Sequence, residues 1–295
     1  MRILDAALRA HLEGGATSLC RCWLARRADG RAFGFTDHDD DLSFEGQMFR
    51  AGSGMDASAL KSATGLSVDN LSVIGALTDA GVTEADIGAG RFDGAEVLHW
   101  LVNWRAPEQR ILVFRGTFGE ISRKDGGFEV ELRGPAEALN LPVGRNLLRR
   151  CDATLGDTRC GVDVSDAAHS AVARVRNAKG ARVSLAELGH FEAAWFTGGR
   201  VVWRSGANVG LEGRVKVDAV EAGGRLLVLW QEPAFTPEPG DEAVVIAGCD
   251  GLAATCRAKF GNFLNFRGFP HIPGEDWVTA YPREGEVHDG GSRSR

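Results

Sequence analysis

Four of the six cysteines fall into two pairs, Cys151-Asp-Ala-Thr-Leu-Gly-Asp-Thr-Arg-Cys160 and Cys249-Asp-Gly-Leu-Ala-Ala-Thr-Cys256. Each pair brackets a stretch rich in Asp, Thr and Gly, so each can turn two sulfurs to one side of a loop. Four thiolates are the ligand set of a closed zinc site or an iron–sulfur cluster. Neither spacing is that of a zinc ribbon or a ferredoxin. By residue type alone three readings stay open: a four-sulfur metal or cluster site, unliganded thiols, and disulfide or redox chemistry. Zinc and iron–sulfur want the same soft ligands, so sequence does not separate them. Either would contribute folding energy and clamp two segments across residues 161–248. Arg159 and Arg257 stand beside their cysteines, either offsetting a cluster's negative charge or simply facing solvent.

The remaining chemistry-bearing residues are sparser. Cys20 and Cys22 share one face of a strand-like run and read as buried structural thiols. Phe35-Thr-Asp-His-Asp-Asp-Asp-Leu places His38 among Asp37, Asp39, Asp40 and Asp41, a set that suits acid–base work, a hard cation or a tight turn. His99 and His271 are isolated and read as structural. There is no Gly-x-Ser-x-Gly, P-loop, His-Glu-x-x-His or EF-hand pattern, so no catalytic residue is assigned. The aromatic run Phe260 to Gly274 follows the last cysteine and suits wrapping the sulfurs, filling a core or docking on a partner.

The elements that position these residues are mostly strands. Residues 3–13 carry apolar positions at helical spacing. Ser18 to Ala25, Ala32 to Thr36 and Leu42 to Phe44 read as a three-strand meander with turns at Ala28-Asp-Gly-Arg and Glu45-Gly46. Residues 65–80 are weakly helical or extended. Thr83 caps a short helix. Residues 92–104 become extended, and Arg110 to Arg133 form a hairpin about a glycine turn, with Phe128, Val130 and Leu132 on one face. A helical turn covers 135–141, before Pro142. Further strands lie at 170–175, 181–185, 199–204, 211–220, 225–230 and 241–247, and a short helix at 251–260 carries Cys256. The last dozen residues read as a loose tail. Short strands between glycine turns favour barrels or sandwiches, and the lack of strand–long-helix alternation argues against a parallel α/β sheet.

Composition agrees with a globular protein of two or three domains: 295 residues, 44% hydrophobic and 25% charged. The net charge of −6 gives no electrostatic case for nucleic-acid binding. The basic run Arg145 to Arg150 reads as a solvated face. Charges interrupt every apolar stretch near Met1, so no signal peptide is expected, and no window reaches the length of a membrane span. Synthesis in the cytoplasm is the expectation, where six cysteines argue against a disulfide scaffold.

Several segments together resemble one family. They are Leu19-Cys-Arg-Cys-Trp, Gly34-Phe-Thr-Asp-His-Asp-Asp-Asp-Leu-Ser-Phe, Cys151-x8-Cys160-Gly-Val, and Cys256-x2-Lys-Phe-x-Asn-x3-Phe-Arg-Gly-x-Pro-x-Ile-Pro-Gly-x-Asp276. They are similar to the conserved phage protein family of the BR0599 type, tail-tip proteins that include gene transfer agent hubs and are distantly related to iron–sulfur tail-tip proteins of siphophages. The resemblance spans nearly the whole chain.

It implies a mainly β, multidomain fold: small barrel-like domains with a cysteine-bound cluster module. The expected divisions are a β-rich hub region at 1–80, a second at 81–165 ending in the first cysteine pair, a small barrel-like domain at 166–248, and a cluster-binding segment and tail at 249–295. Cys151, Cys160, Cys249 and Cys256 are the implied cofactor and metal ligands, holding a structural [4Fe-4S] cluster, with zinc as the alternative. The implied role is a hub at the tail tip of a phage-like particle, linking the distal tail ring to the large central host-contacting protein. The chain would form a ring, a trimer by resemblance, through which DNA passes without specific binding. A tail-associated hydrolase or peptidase built on Asp37–Asp41 and His38 is the competing reading.

Overall fold

The computed structural model describes residues 4–52, 55–56, 70–75, 83–124, 127–139, 143–221 and 223–272. The chain divides into two compact units, Met1–Val143 and Gly144–Arg295. The expectations for 65–69, 76–80, the turn at 125–126, Pro142 and the C-terminal tail lie outside the described residues.

The first unit opens with helix α1 (Ala6–Glu13), capped by Asp5, whose carboxylate accepts from the Ala7 and Leu8 N–H groups. Strands β1 (Leu19–Arg26), β2 (Ala32–Thr36), β3 (Leu42–Phe44), β4 (Gln47–Arg50), β5 (Met55–Asp56) and β6 (Asn70–Gly75) follow. Next come α2 (Glu84–Gly88), β7 (Glu96–Asn103), β8 (Arg110–Lys124), β9 (Gly127–Arg133) and the single-turn α3 (Ala136–Leu139). The nine strands form one sheet in the order β3-β4-β2-β1-β7-β8-β9-β6-β5. Among the described residues only β2 and β4 pair in parallel. The β3–β4 hairpin turns through Glu45 at φ 52 and Gly46 at φ 71, the left-handed pair that a two-residue turn requires.

Strands β1 and β7 are apolar on both faces because both faces are covered. Trp23 and Ala25 pack with Phe35, Phe92, Val97, Phe118, Val130 and Leu132. Cys20, Cys22 and Leu24 pack on the opposite face with Leu42, Phe44, Phe49, Trp100 and Val102. Alternation in β1 therefore sorts residues between two cores rather than between core and water.

The second unit contains β10 (Ser170–Lys179), β11 (Arg182–Leu185), β12 (Arg200–Trp203), β13 (Glu212–Glu221), β14 (Gly224–Leu229) and β15 (Glu242–Ile246), then α4 (Ala253–Ala258) and a 3-10 turn at Phe263–Asn265. The six strands pair in the ring β10-β11-β14-β13-β12-β15, and β15 returns to β10. Every second residue points inward: Leu227 and Leu229 on β14, Ala243 and Val245 on β15, Val201 and Trp203 on β12. Leu188, Phe191 and Phe196 from the β11–β12 connection complete this core. The ring is filled by side chains, as small barrels are.

Two expectations about fold class are corrected here. The unit Met1–Val143 is an open sheet with β3 and β5 at its edges, not a barrel-like domain. The cysteine-bound cluster module is also absent: among the described residues no group of three or more His, Cys, Asp or Glu side chains is gathered to hold a metal ion.

Candidate functional site

The two cysteine loops do meet. Cys151, Cys160, Cys249 and Cys256 line one small cavity together with Phe260, Asn262, Asn265 and Phe266. Backbone hydrogen bonds draw the loops together. The Cys151 N–H donates to the Gly251 carbonyl at 2.8 Å, and the Phe269 N–H donates to the Leu148 carbonyl at 2.9 Å. The Asn262 amide also donates to the Cys160 carbonyl at 2.6 Å. Each loop is shaped by one aspartate. Asp157 accepts from the N–H groups of Thr154, Arg159 and Cys160 at 2.7–2.9 Å. Asp250 accepts from the Leu252 N–H and from the Thr255 hydroxyl, each at 2.8 Å. These are the side-chain-to-backbone turns for which Asp is suited.

The expectation of a [4Fe-4S] cluster on Cys151, Cys160, Cys249 and Cys256, with zinc as its alternative, is overturned. The described residues assemble no metal-ligating group, and all six thiols are free. The cavity between the four cysteines measures about 20 Å³. That is close to the space of one water and far short of four irons and four sulfides. Burial pushes the Cys249 and Cys256 thiols up, which keeps them neutral. The iron–sulfur and metal-binding expectations fall with the cluster.

The flanking arginines do not face the sulfurs. Arg159 pairs with Asp152 at 3.1 Å, and Arg257 lies 4.3 Å over the Phe263 ring. The basic run is more than a solvated face: Arg145 pairs with Asp152 at 3.2 Å, Arg149 donates to the Ile272 carbonyl at 2.6 Å, and Arg150 donates to the Asp250 carbonyl at 3.3 Å. Lys259 locks the α4 segment to the barrel, donating to the carbonyls of Trp195 and Gly248. Burial lowers its pKa. Sequence reasoning missed these staples. The only available signal was an Asp two or three residues before a turn.

The Asp37–Asp41 cluster is a built turn. Asp37 accepts from the Arg21 N–H at 2.6 Å, His38 Nδ1 from the Asp40 N–H at 3.0 Å, and Asp41 from the Ala51 N–H at 2.7 Å. The His38 ring packs on Trp104 at 4.9 Å. Among the described residues no nucleophile or orienting partner is hydrogen-bonded to it, so the hydrolase reading finds no support in this geometry. Cys20 and Cys22 are buried; Cys20 Sγ lies 3.6 Å from the Val102 carbonyl and Cys22 Sγ 3.6 Å from Thr36 Oγ1. His99 is buried and stacks on Trp23, whereas His271 is exposed.

Comparison with known proteins gives this arrangement its context. A family model described as the baseplate hub protein, N-terminal attachment domain, matches residues 5–163. A second, described as phage conserved hypothetical protein BR0599, matches residues 194–276. A solved chain from the virion of a native gene transfer agent particle is 50% identical, covers 98% of this chain and 99% of its own, and superposes with a TM-score of 0.90. The chain belongs to the baseplate hub family. The first match ends just past Cys160, and the second takes in Cys249, Cys256 and the aromatic run, so the two family modules divide the cysteine pairs between them. The search of curated proteins finds no match.

Proposed function

We propose that this hub-family chain is a structural component of the tail tip of a phage-like or gene transfer agent particle. In this reading it joins the distal tail ring to the central host-contacting protein, and copies of the chain form a ring, a trimer, around the DNA path. The supporting observation is the 50% identity over 98% of the chain with a component of a gene transfer agent virion. The division of the chain into two separate β units suits a linker, since each unit carries its own core. The four cysteines enter as free thiols, Cys256 buried and the other three half-buried, of the module that ties residues 145–160 to 249–272.

Deleting the gene and imaging the particles tests the role. Particles without this chain should lack an ordered tail tip, and an affinity tag on the complementing chain should label only that end. Cross-linking of intact tails should join the chain to itself, to the distal tail protein and to the central tip protein. Normal tips in the deletion strain would end this reading.

A further inference from the structure

A cleft of about 260 Å³ lies between the first cysteine loop and the barrel wall, within the second unit. Arg150 and Thr154 line one side, Arg200 and Arg214 the other. Arg200 on β12 and Arg214 on β13 are direct cross-strand partners, and both project outward, since their neighbours Val201 and Val215 point into the core. Like charges directly opposite in a ladder repel. Among the described residues neither guanidinium has an acidic partner. The Nε of Arg200 is buried and has no hydrogen-bond partner, and an orphaned buried donor calls for an acceptor. The one carboxylate lining the cleft, Asp250, is already engaged by the Leu252 N–H and the Thr255 hydroxyl. Three cations thus face a recess whose single anion is spent.

We propose that this cleft is a carboxylate-binding pocket that receives an Asp or Glu side chain of a neighbouring subunit. Guanidinium forks match a planar carboxylate, and a pair desolvated in a recess is stronger than one at the surface. The cleft holds one side chain rather than a duplex backbone, and the net charge of −6 disfavours a polyanion while leaving acidic side chains plentiful on any second copy. The source of the carboxylate rests on the assembly role proposed above; the pocket's affinity for carboxylate does not.

Titration of the full chain with glutarate at low salt tests the pocket, with inorganic phosphate and a short DNA duplex as competitors. Wild type should bind glutarate saturably. Arg200→Gln and Arg214→Gln should each weaken it at least about tenfold, the loss of one charge-assisted hydrogen bond. Arg214 is exposed, so its variant keeps the fold even where the Arg200 variant does not. Absent glutarate binding, or binding in both variants as tight as in wild type, overturns the pocket. Arginine-dependent binding of duplex tighter than that of glutarate overturns the protein carboxylate in favour of a nucleic-acid phosphate. In particles, both variants should be lost from tails that retain the wild-type chain; equal incorporation overturns the subunit contact. Wild type missing from tails would instead refute the assembly role and leave the titration to judge the pocket.

Discussion

The Arg225 guanidinium and the Asp218 carboxylate meet at 2.6 Å inside the barrel, with side chains 1% and 0% exposed. Arg225 occupies an inward position of β14, in register with Leu227 and Leu229. Its remaining N–H groups donate to the carbonyls of Leu188, Phe191 and Glu192, and Asp218 also accepts from the Phe196 N–H at 2.9 Å. The pair therefore staples the 188–196 connection over the end of the barrel.

Removing one partner strands the other. Asp218→Ala should destabilise the second unit by roughly 3–5 kcal/mol, the cost of an unpaired buried charge. Adding Arg225→Met should restore part of that loss. Guanidinium unfolding of the three proteins measures it, and a single-variant loss under about 1 kcal/mol would mean that water reaches Arg225.

His99 makes the first unit sensitive to acid. Burial, aided by the charge of Arg21, lowers its pKa from 6.5 to about 4. The folded protein keeps the ring neutral while the unfolded chain takes up a proton below 6.5, so stability is full above that pH and falls as pH drops through about 4. The shift corresponds to about 3 kcal/mol. His99→Phe keeps an aromatic ring over Trp23 and should flatten the stability profile across that window in urea melts. An unchanged profile would assign the acid sensitivity to other groups.

Gly248 lets the β15 exit run against the backbone before β12. A Cβ there would collide with the Thr197 carbonyl, a backbone group that cannot swing away. Gly248→Ala should cost at least about 1–3 kcal/mol through overpacking. Thermal melting would show the loss, whereas Gly144→Ala, where nothing lies within reach, should be silent.

Asp157 organises the first cysteine loop. The Cys160 N–H, helped by those of Thr154 and Arg159, holds its carboxyl below the usual carboxylate range. Its contribution is present above the ordinary carboxylate pKa and is lost as pH falls through the lowered folded value. Asp157→Ala should make trypsin cut at Arg159 faster without unfolding the barrel. Equal cleavage rates would show that the loop is held by Asn262 and Gly251 instead.

Much of the strand pattern was legible because alternation and glycine turns are local signals. The Val130 and Leu132 alternation, the Glu45-Gly46 turn, the Thr83 cap and all six barrel strands follow from neighbours in sequence. The cysteine loops were legible as turns and as partners in space. The step from four nearby sulfurs to a cluster was not, because ligand geometry depends on how closely two separate loops approach. The segments close to a cavity of about 20 Å³, and no ligand set forms among the described residues.

By itself the sequence determined which residues become strands, which face of β13 and β14 is apolar, and, through Cys256 to Asp276, the family resemblance. Those properties live in periodicity and short motifs. Tertiary structure alone decided that the first nine strands stay an open sheet while the last six close. It also paired Arg225 with Asp218 and set Arg200 beside Arg214 with no counter-charge among the described residues. Strand pairing and charge pairing join residues far apart in the chain, and their energy depends on distance and burial, quantities that no local pattern carries.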